Sequence, residues 1–146
     1  MLRQLLAMLL LCVGAMAANA AGDPVVMEAK GRFDEVRESL VAAIEGRGLV
    51  ISYTAHIGAM LDRTGKDIGA AKRVYDRAES LEFCSAIASR RMMEANAANI
   101  VYCPYAVAIY TLPGKPGVVH LAYRRPPPEL SAIDDLLKGI VAEAKP

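Results

Sequence analysis

Residues 83–110 read FCSAIASRRMMEANAANIVYCPYAVAIY and contain Cys84 and Cys103. Apolar residues recur at helical spacing over residues 85–95, and Ser85 is a residue type that favours the N-cap of a helix. The end of the stretch is rich in β-branched and aromatic residues, which favour strands. The stretch therefore predicts a helix that leads into a strand, with one cysteine at each junction.

A β-hairpin is predicted directly after this helix. Residues 100–111 and 117–124 both alternate apolar side chains with a period of two, and residues 112–116, LPGKP, supply the turn. The alternation places on one face Val107, Ile109 and Thr111 of the first run, and Val119, Leu121 and Tyr123 of the second.

The remaining segments alternate between helix and strand patterns. We predict a strand over residues 24–29, an amphipathic helix over 33–47, a strand over 49–54, one or two helical turns from Ile57, an ambiguous segment over 70–80, and a final helix over about 131–144 with Ser131 as its cap. Pro126, Pro127 and Pro128 end the sheet, because proline has no amide proton for a ladder. This order predicts an α+β fold, an antiparallel sheet with helices packed on it.

Residues 1–20 have the pattern of a signal peptide. Arg3 precedes an apolar run, and Ala18-Asn19-Ala20 matches the small-x-small pattern at a cleavage site. The run is short against the roughly 20 residues that span a bilayer. We therefore expect a single mature domain over residues 21–146, periplasmic or secreted, with no membrane attachment after cleavage.

The charge of the mature segment excludes one class of partner. The chain has 17 basic and 16 acidic residues, and removal of Arg3 leaves the two signs equal. Nucleic-acid-binding domains normally carry a clear basic excess. We therefore expect no nucleic-acid partner.

Several segments together resemble a known family. They are Phe33-Asp34-Glu35-Val36, Gly48-Leu49-Val50, Phe83-Cys84-Ser85, and Tyr102-Cys103-Pro104-Tyr105 leading into the next strand. Over residues 25–125 the sequence is similar to the domain of unknown function family 302, most closely to a secreted branch. The resemblance implies a fold similar to that of the TATA-binding protein and a homodimer, and it implies no established activity. Many members have Gly-x-Cys-Asn-Pro or Gly-Asn-Pro where this chain has residues 82–86.

Two interpretations of Cys84 and Cys103 remain open. In an oxidising compartment two cysteines usually pair, and a loop of this size stabilises a fold by roughly 3 kcal/mol. Alternatively, Cys84 at the start of a helix is a reactive thiol, since the helix dipole lowers a thiol pKa. The chain lacks the Cys-x-x-Cys motif of thioredoxin-like enzymes.

A metal site remains an alternative, and a ligand pocket is expected in the same region. Copper or zinc would need Cys84 and Cys103 joined by His56, or by His120, with Met92 or Met93 as further soft ligands. We place a possible ligand pocket at His56, Ser85, Tyr102 and Tyr105, and expect His120 to be an ordinary histidine on the sheet surface.

The predicted function is a noncatalytic binding or accessory module with a structural disulfide between Cys84 and Cys103. No catalytic signature such as Ser-His-Asp or paired carboxylates occurs in the sequence, and no cofactor is indicated. The alternative is a thiol-redox or metal-binding protein that uses Cys84, Cys103 and His56. The expected ligand is a small molecule.

Overall fold

A five-stranded antiparallel sheet forms the centre of the domain. The computed structural model describes residues 21–70 and 72–145, so the predicted signal peptide lies outside the described residues. The strands are β1 (Pro24–Lys30), β2 (Val50–Ala55), β3 (Arg77–Cys84), β4 (Tyr105–Thr111) and β5 (Val118–Arg124). The helices are α1 (Phe33–Glu45), α2 (Ile57–Gly65), α3 (Ala86–Ala95) and α4 (Ser131–Glu143), with two 3-10 helices at Ala97–Tyr102 and Pro128–Leu130.

The strand order across the sheet is β1-β5-β4-β3-β2, and each neighbouring pair is antiparallel. The α+β prediction is therefore confirmed. The first two strands of the chain lie at opposite edges of the sheet, so α1, which joins them, spans the distance between the two edges. No helix in the described part of the chain has the length and apolar character to cross a membrane.

The hydrophobic core lies between one face of the sheet and helices α1 and α4. Apolar residues that recur at helical spacing in both helices are buried there: Val36, Leu40, Ala43 and Ile44 from α1, and Ile133, Leu137, Ile140 and Val141 from α4, with Leu136 half-buried. The hairpin contributes Val107, Ile109, Val119, Leu121 and Tyr123, also buried. The spacing of apolar residues thus identified the face of each element that the core removes from water.

Three predicted boundaries are wrong. The strand predicted from Ile100 begins only at Tyr105, because residues 97–102 form a 3-10 helix that starts where the Asn96 side chain accepts a hydrogen bond from Ala98 N–H at 3.0 Å. Ser131 is the first residue of α4 and makes no capping hydrogen bond. Helix α1 ends at Glu45, before Gly46.

His120 is buried, which corrects the prediction of a surface histidine. It lies on the sheet face opposite the core, with 5% of its surface exposed. Its ring stacks on Tyr110 at a centroid distance of 4.7 Å, and Nε2 lies 3.3 Å from Glu28 on the neighbouring strand. The His120 ring therefore packs against Tyr110 and is shielded from solvent.

Candidate functional site

The two cysteines meet at one end of the sheet. Cys84 is the last residue of β3, and Cys103 lies between the 3-10 helix and β4. Both are free thiols, with Sγ atoms 2.7 Å apart, and Cys84 is exposed while Cys103 is half-buried. A disulfide would need the sulfurs to approach by only about 0.7 Å. The predicted proximity of the pair is present, although the bond itself is not formed.

A short polar chain extends from the cysteines into the core. Ser89, on α3, places its hydroxyl 3.6 Å from Cys103 Sγ and 3.1 Å from the Tyr105 hydroxyl. Ser85 caps α3 as predicted, since its side chain accepts a hydrogen bond from Ala88 N–H at 3.3 Å. The Ser85 cap stabilises the start of α3, and the contact of Ser89 with Tyr105 holds the helix against the start of β4.

The electrostatics of Cys84 oppose a reactive thiolate. Burial raises the pKa of the Cys84 thiol to about 11, and the hydrogen bond and charge of Cys103 and the charge of Glu82 act in the same direction. A backbone hydrogen bond at Tyr105 only partly offsets these effects. A thiol with a raised pKa is a weak nucleophile at neutral pH. The lowered pKa expected from a helix start is thus wrong for this residue.

His56 lies away from the cysteines. It precedes α2 at the end of β2, where its Nδ1 is 3.7 Å from Glu79, whereas Cys84 is at the opposite end of β3. The register confirms the separation, because Ala55 pairs with Ser80 while Val50 pairs with Cys84. Within residues 21–70 and 72–145, no group of three His, Cys, Asp or Glu side chains is placed to hold a metal ion. The structure therefore does not join His56 to the cysteine pair.

A cavity of about 400 Å³ lies next to Cys103, whose chain neighbours Tyr102 and Pro104 both line it. Of the four residues predicted to form a ligand pocket, Tyr102 and Tyr105 line it, and His56 and Ser85 do not. Its other walls come from the sheet, the chain after β5 and helix α4: Gly22, Pro24, Ser80, Val101, Pro104, Ala106, Ala108, Ala122, Tyr123, Arg124, Arg125, Pro126, Ile133 and Leu137. We call this cavity the strand-gap pocket.

The pocket exists because β4 and β5 separate. Their ladder consists of three pairs, which end at Ala108–Ala122 in the described part of the chain. Beyond this point residues 105–107 still pair with β3, and Tyr123 and Arg124 still pair with β1. Each strand therefore keeps its outer partner, and the opening forms between their inner edges.

Backbone polar groups face this opening. Arg125 N–H donates to the Asp23 carbonyl, and the Arg125 carbonyl accepts from Gly22 N–H, both at 2.9 Å and both on the β1 side. Backbone groups of successive residues in an antiparallel strand point to opposite neighbours. The N–H and carbonyl of Arg124 therefore point toward β4. The same alternation, counted from Ala108, directs those of Ala106 toward β5.

Tyr123 and Asp134 form a fixed polar wall near the pocket. The Tyr123 hydroxyl donates to Asp134 at 3.1 Å, and Lys138 Nζ lies 2.5 Å from the same carboxylate. Burial, with the hydrogen bond to Asp134 and its charge, raises the pKa of Tyr123 to about 12. Burial works against ionisation of Asp134, but Lys138, Tyr123 and Arg125 together hold its pKa below the ordinary value. The tyrosine therefore stays a neutral donor.

Sequence reasoning missed the two arginines of this pocket. Arg124 is the last residue of β5, and Arg125 lies between it and the proline run. Charged residues are common at the ends of strands, so the sequence offers no reason to single these two out. Their role depends on the separation of β4 from β5, which the alternating pattern of the hairpin does not reveal. A basic pair next to a strand terminus is the one feature that could have drawn attention to them.

Comparisons with known proteins agree with the fold. The family model for the domain of unknown function DUF302 matches residues 25–145, so the match extends beyond the predicted 25–125 to include α4. Among solved structures, the chain is similar to an uncharacterized conserved DUF302 protein from Bacillus stearothermophilus. The TM-score is 0.67 at 14% identity, over 84% of this chain and 98% of that one. At this identity the likeness shows the fold alone. No curated protein matches the sequence.

Proposed function

The chain belongs to the DUF302 family, and we propose that it acts as an exported, noncatalytic binding module that takes a small molecule in the strand-gap pocket. The observation that carries this proposal is the pocket itself, a concave space of about 400 Å³ with apolar walls and a few polar groups. Ligand sites usually measure about 300–1,000 Å³ and have this mixed lining.

The lining favours binding over catalysis. Among the described residues, those that line the pocket include no His, Cys, Asp or Glu. General acid–base and nucleophilic chemistry use these side chains most often. The polar side chains that line it are three tyrosines, two arginines and one serine, and an aromatic ring with a hydroxyl supplies contact area together with a hydrogen bond.

We propose that Cys84 and Cys103 form a structural disulfide in the exported protein. Their Sγ separation of 2.7 Å supports this, as does the position of the pair at the base of the segment that carries Tyr102. A bridge would hold the 3-10 helix against the sheet and so keep one wall of the pocket in place. Its contribution to stability is about 3 kcal/mol in the loop-entropy model.

Uptake of an uncharged apolar probe tests the binding role. We expect N-phenyl-1-naphthylamine to bind with one site per chain, followed by its fluorescence increase. Ala106→Leu, which adds volume at the opening, should weaken binding at least tenfold. Ala59→Leu makes the same change on the exposed side of α2 and should bind like the unaltered protein. The proposal would be overturned if the unaltered protein bound neither this probe nor its sulfonated analogue.

The second candidate is a thiol-redox or metal-binding function of the cysteine pair. The observation in its favour is that Cys84 is exposed and in contact with a second thiol. The raised pKa of Cys84 and the remote position of His56 weigh against it. Metal analysis of protein purified without chelators separates the cases, since a stoichiometric copper or zinc content would favour this candidate.

Export and homodimer formation are part of the proposal. The sequence of residues 1–20 supports export, and the mass of the protein recovered from its host should then correspond to a chain that begins near residue 21. The family resemblance supports a homodimer, to be checked by light scattering.

A further inference from the structure

The strand-gap pocket carries positive charge without a matching acid. Arg124 and Arg125 both line it, and no carboxylate does so among the residues that the structure describes. Asp134 lies just outside, but Lys138 is its close partner at 2.5 Å, and Arg125 Nη1 is 3.9 Å away. The acid near the pocket is therefore already neutralised by a lysine.

Neither arginine is fully satisfied by the protein. Arg125 Nε is buried and has no hydrogen-bond acceptor. Arg124 is exposed, and within the described residues it takes part in no ion pair. Because Arg125 Nε is buried and Arg124 is exposed, the guanidinium group that a ligand in the pocket can reach is that of Arg124.

The backbone adds neutral donors at the same place. The N–H groups of Arg124 and Ala106 face the opening between β4 and β5, where the ladder that would have paired them has ended. An anion at this point can accept hydrogen bonds from the Arg124 guanidinium and from these amides. Charge-assisted hydrogen bonds of this kind are stronger than those between neutral groups.

The rest of the pocket is apolar. Val101, Tyr102 and Pro104 contribute rings and an aliphatic side chain around the charged end. A small inorganic anion would leave these walls unused, whereas an aromatic or aliphatic body would bury them.

We propose that the strand-gap pocket binds a small organic anion, with its carboxylate or sulfonate at Arg124 and its apolar body against Val101, Tyr102 and Pro104. This inference rests on the proposed binding function and adds the chemical class of the ligand. It assigns the separation of β4 and β5 as the source of the amide donors and assigns Arg124 as the determinant of charge selectivity.

Two probes with the same aromatic body test the charge selectivity. 8-Anilinonaphthalene-1-sulfonate carries a sulfonate, and N-phenyl-1-naphthylamine is the same molecule without it. With the full chain expressed so that any processing takes place, we expect the sulfonate probe to bind at least tenfold more tightly. Arg124→Gln should remove most of this difference, while Arg63→Gln, the same change on exposed α2, should leave it intact.

Salt and folding measurements complete the test. The affinity of the sulfonate probe should fall with added salt, and less steeply in Arg124→Gln. Far-UV circular dichroism checks that each variant is folded. Equal affinity for both probes, or an unchanged preference in folded Arg124→Gln, would overturn the anion inference while leaving the binding function standing. Failure of both probes to bind would overturn both.

Discussion

Cys84 Sγ contacts Cys103 Sγ at 2.7 Å although the two residues are nineteen positions apart in the chain. The register of the sheet explains the contact, because Phe83 pairs with Tyr105 and the next step brings the end of β3 to the residues that precede β4. The connection that contains α3 and the 3-10 helix therefore leaves the sheet at the end of β3 and returns to it beside the same point, at the start of β4. The sulfurs at its two ends need to approach by only about 0.7 Å to form a covalent bridge.

Replacement of both cysteines by serine should lower the free energy of unfolding of oxidised protein by about 3 kcal/mol. The reason is that the unfolded chain regains the freedom that a bridge removes. Urea denaturation with and without reductant measures the effect, and the variant should not respond to reductant. Thiol titration of the processed chain should find no free thiol before reduction. Two free thiols there would contradict the structural bridge.

Ser89→Ala should destabilise the domain by about 1 kcal/mol, because the buried Tyr105 hydroxyl loses its partner at 3.1 Å. Burial raises the pKa of Tyr105, and the hydrogen bond from Ser89 partly offsets that rise. The variant should therefore show a still higher pKa for this tyrosine in an ultraviolet titration. Ser131→Ala, at an exposed serine that makes no capping bond, is the matched control and should change little.

Asp134→Asn should destabilise the domain by about 1 kcal/mol near neutral pH, through loss of charge-assisted contacts with Lys138 and Tyr123. The pKa of Asp134 is lowered from its ordinary value of 3.8, so the unfolded state binds a proton at higher pH than the folded state. This stabilisation is complete above the ordinary pKa and is lost as the pH falls through the folded pKa. Urea denaturation at several pH values should show the difference between the two proteins shrinking in acid.

Gly58→Ala should destabilise the domain by about 1–3 kcal/mol. A Cβ at this position would lie 2.9 Å from the backbone nitrogen of Ala78, so α2 would have to move away from β3. Gly65→Ala serves as the control in the same helix, since its Cβ would lie 3.5 Å from the nearest atom, the Ala70 Cβ. Thermal unfolding compares them, and equal melting temperatures would show that α2 is not tightly seated.

The elements that periodicity specifies were predictable. The stripes of α1 and α4 and the alternation of Val119, Leu121 and Tyr123 each follow from the burial of one face, which sequence spacing records directly. The strand prediction from Ile100 was wrong because it used only the β propensity of the residues themselves. The cap at Asn96 and the packing of this segment favour a 3-10 helix instead.

The candidate site was only half predictable. Tyr102, Cys103 and Tyr105 are neighbours in the chain, and Cys84 joins them because β3 pairs with β4. His56 was wrongly associated with them, because its position depends on which end of β2 meets which end of β3. Arg124 and Arg125 were missed, because their exposure to a cavity arises from a ladder that stops early, and no local pattern encodes that.

The pairing of β1 with β5 has a consequence for how the chain acquires its structure. Pro24 pairs with Arg124, so β1, the first strand to be synthesised, cannot pair until β5, the last strand, has been synthesised. Pairing across such a separation is slow, because the entropy of closing the long loop is lost before contacts compensate for it. Until residue 124 has left the ribosome, one edge of the sheet has no neighbour. The domain therefore completes its fold only after almost the whole polypeptide has been made.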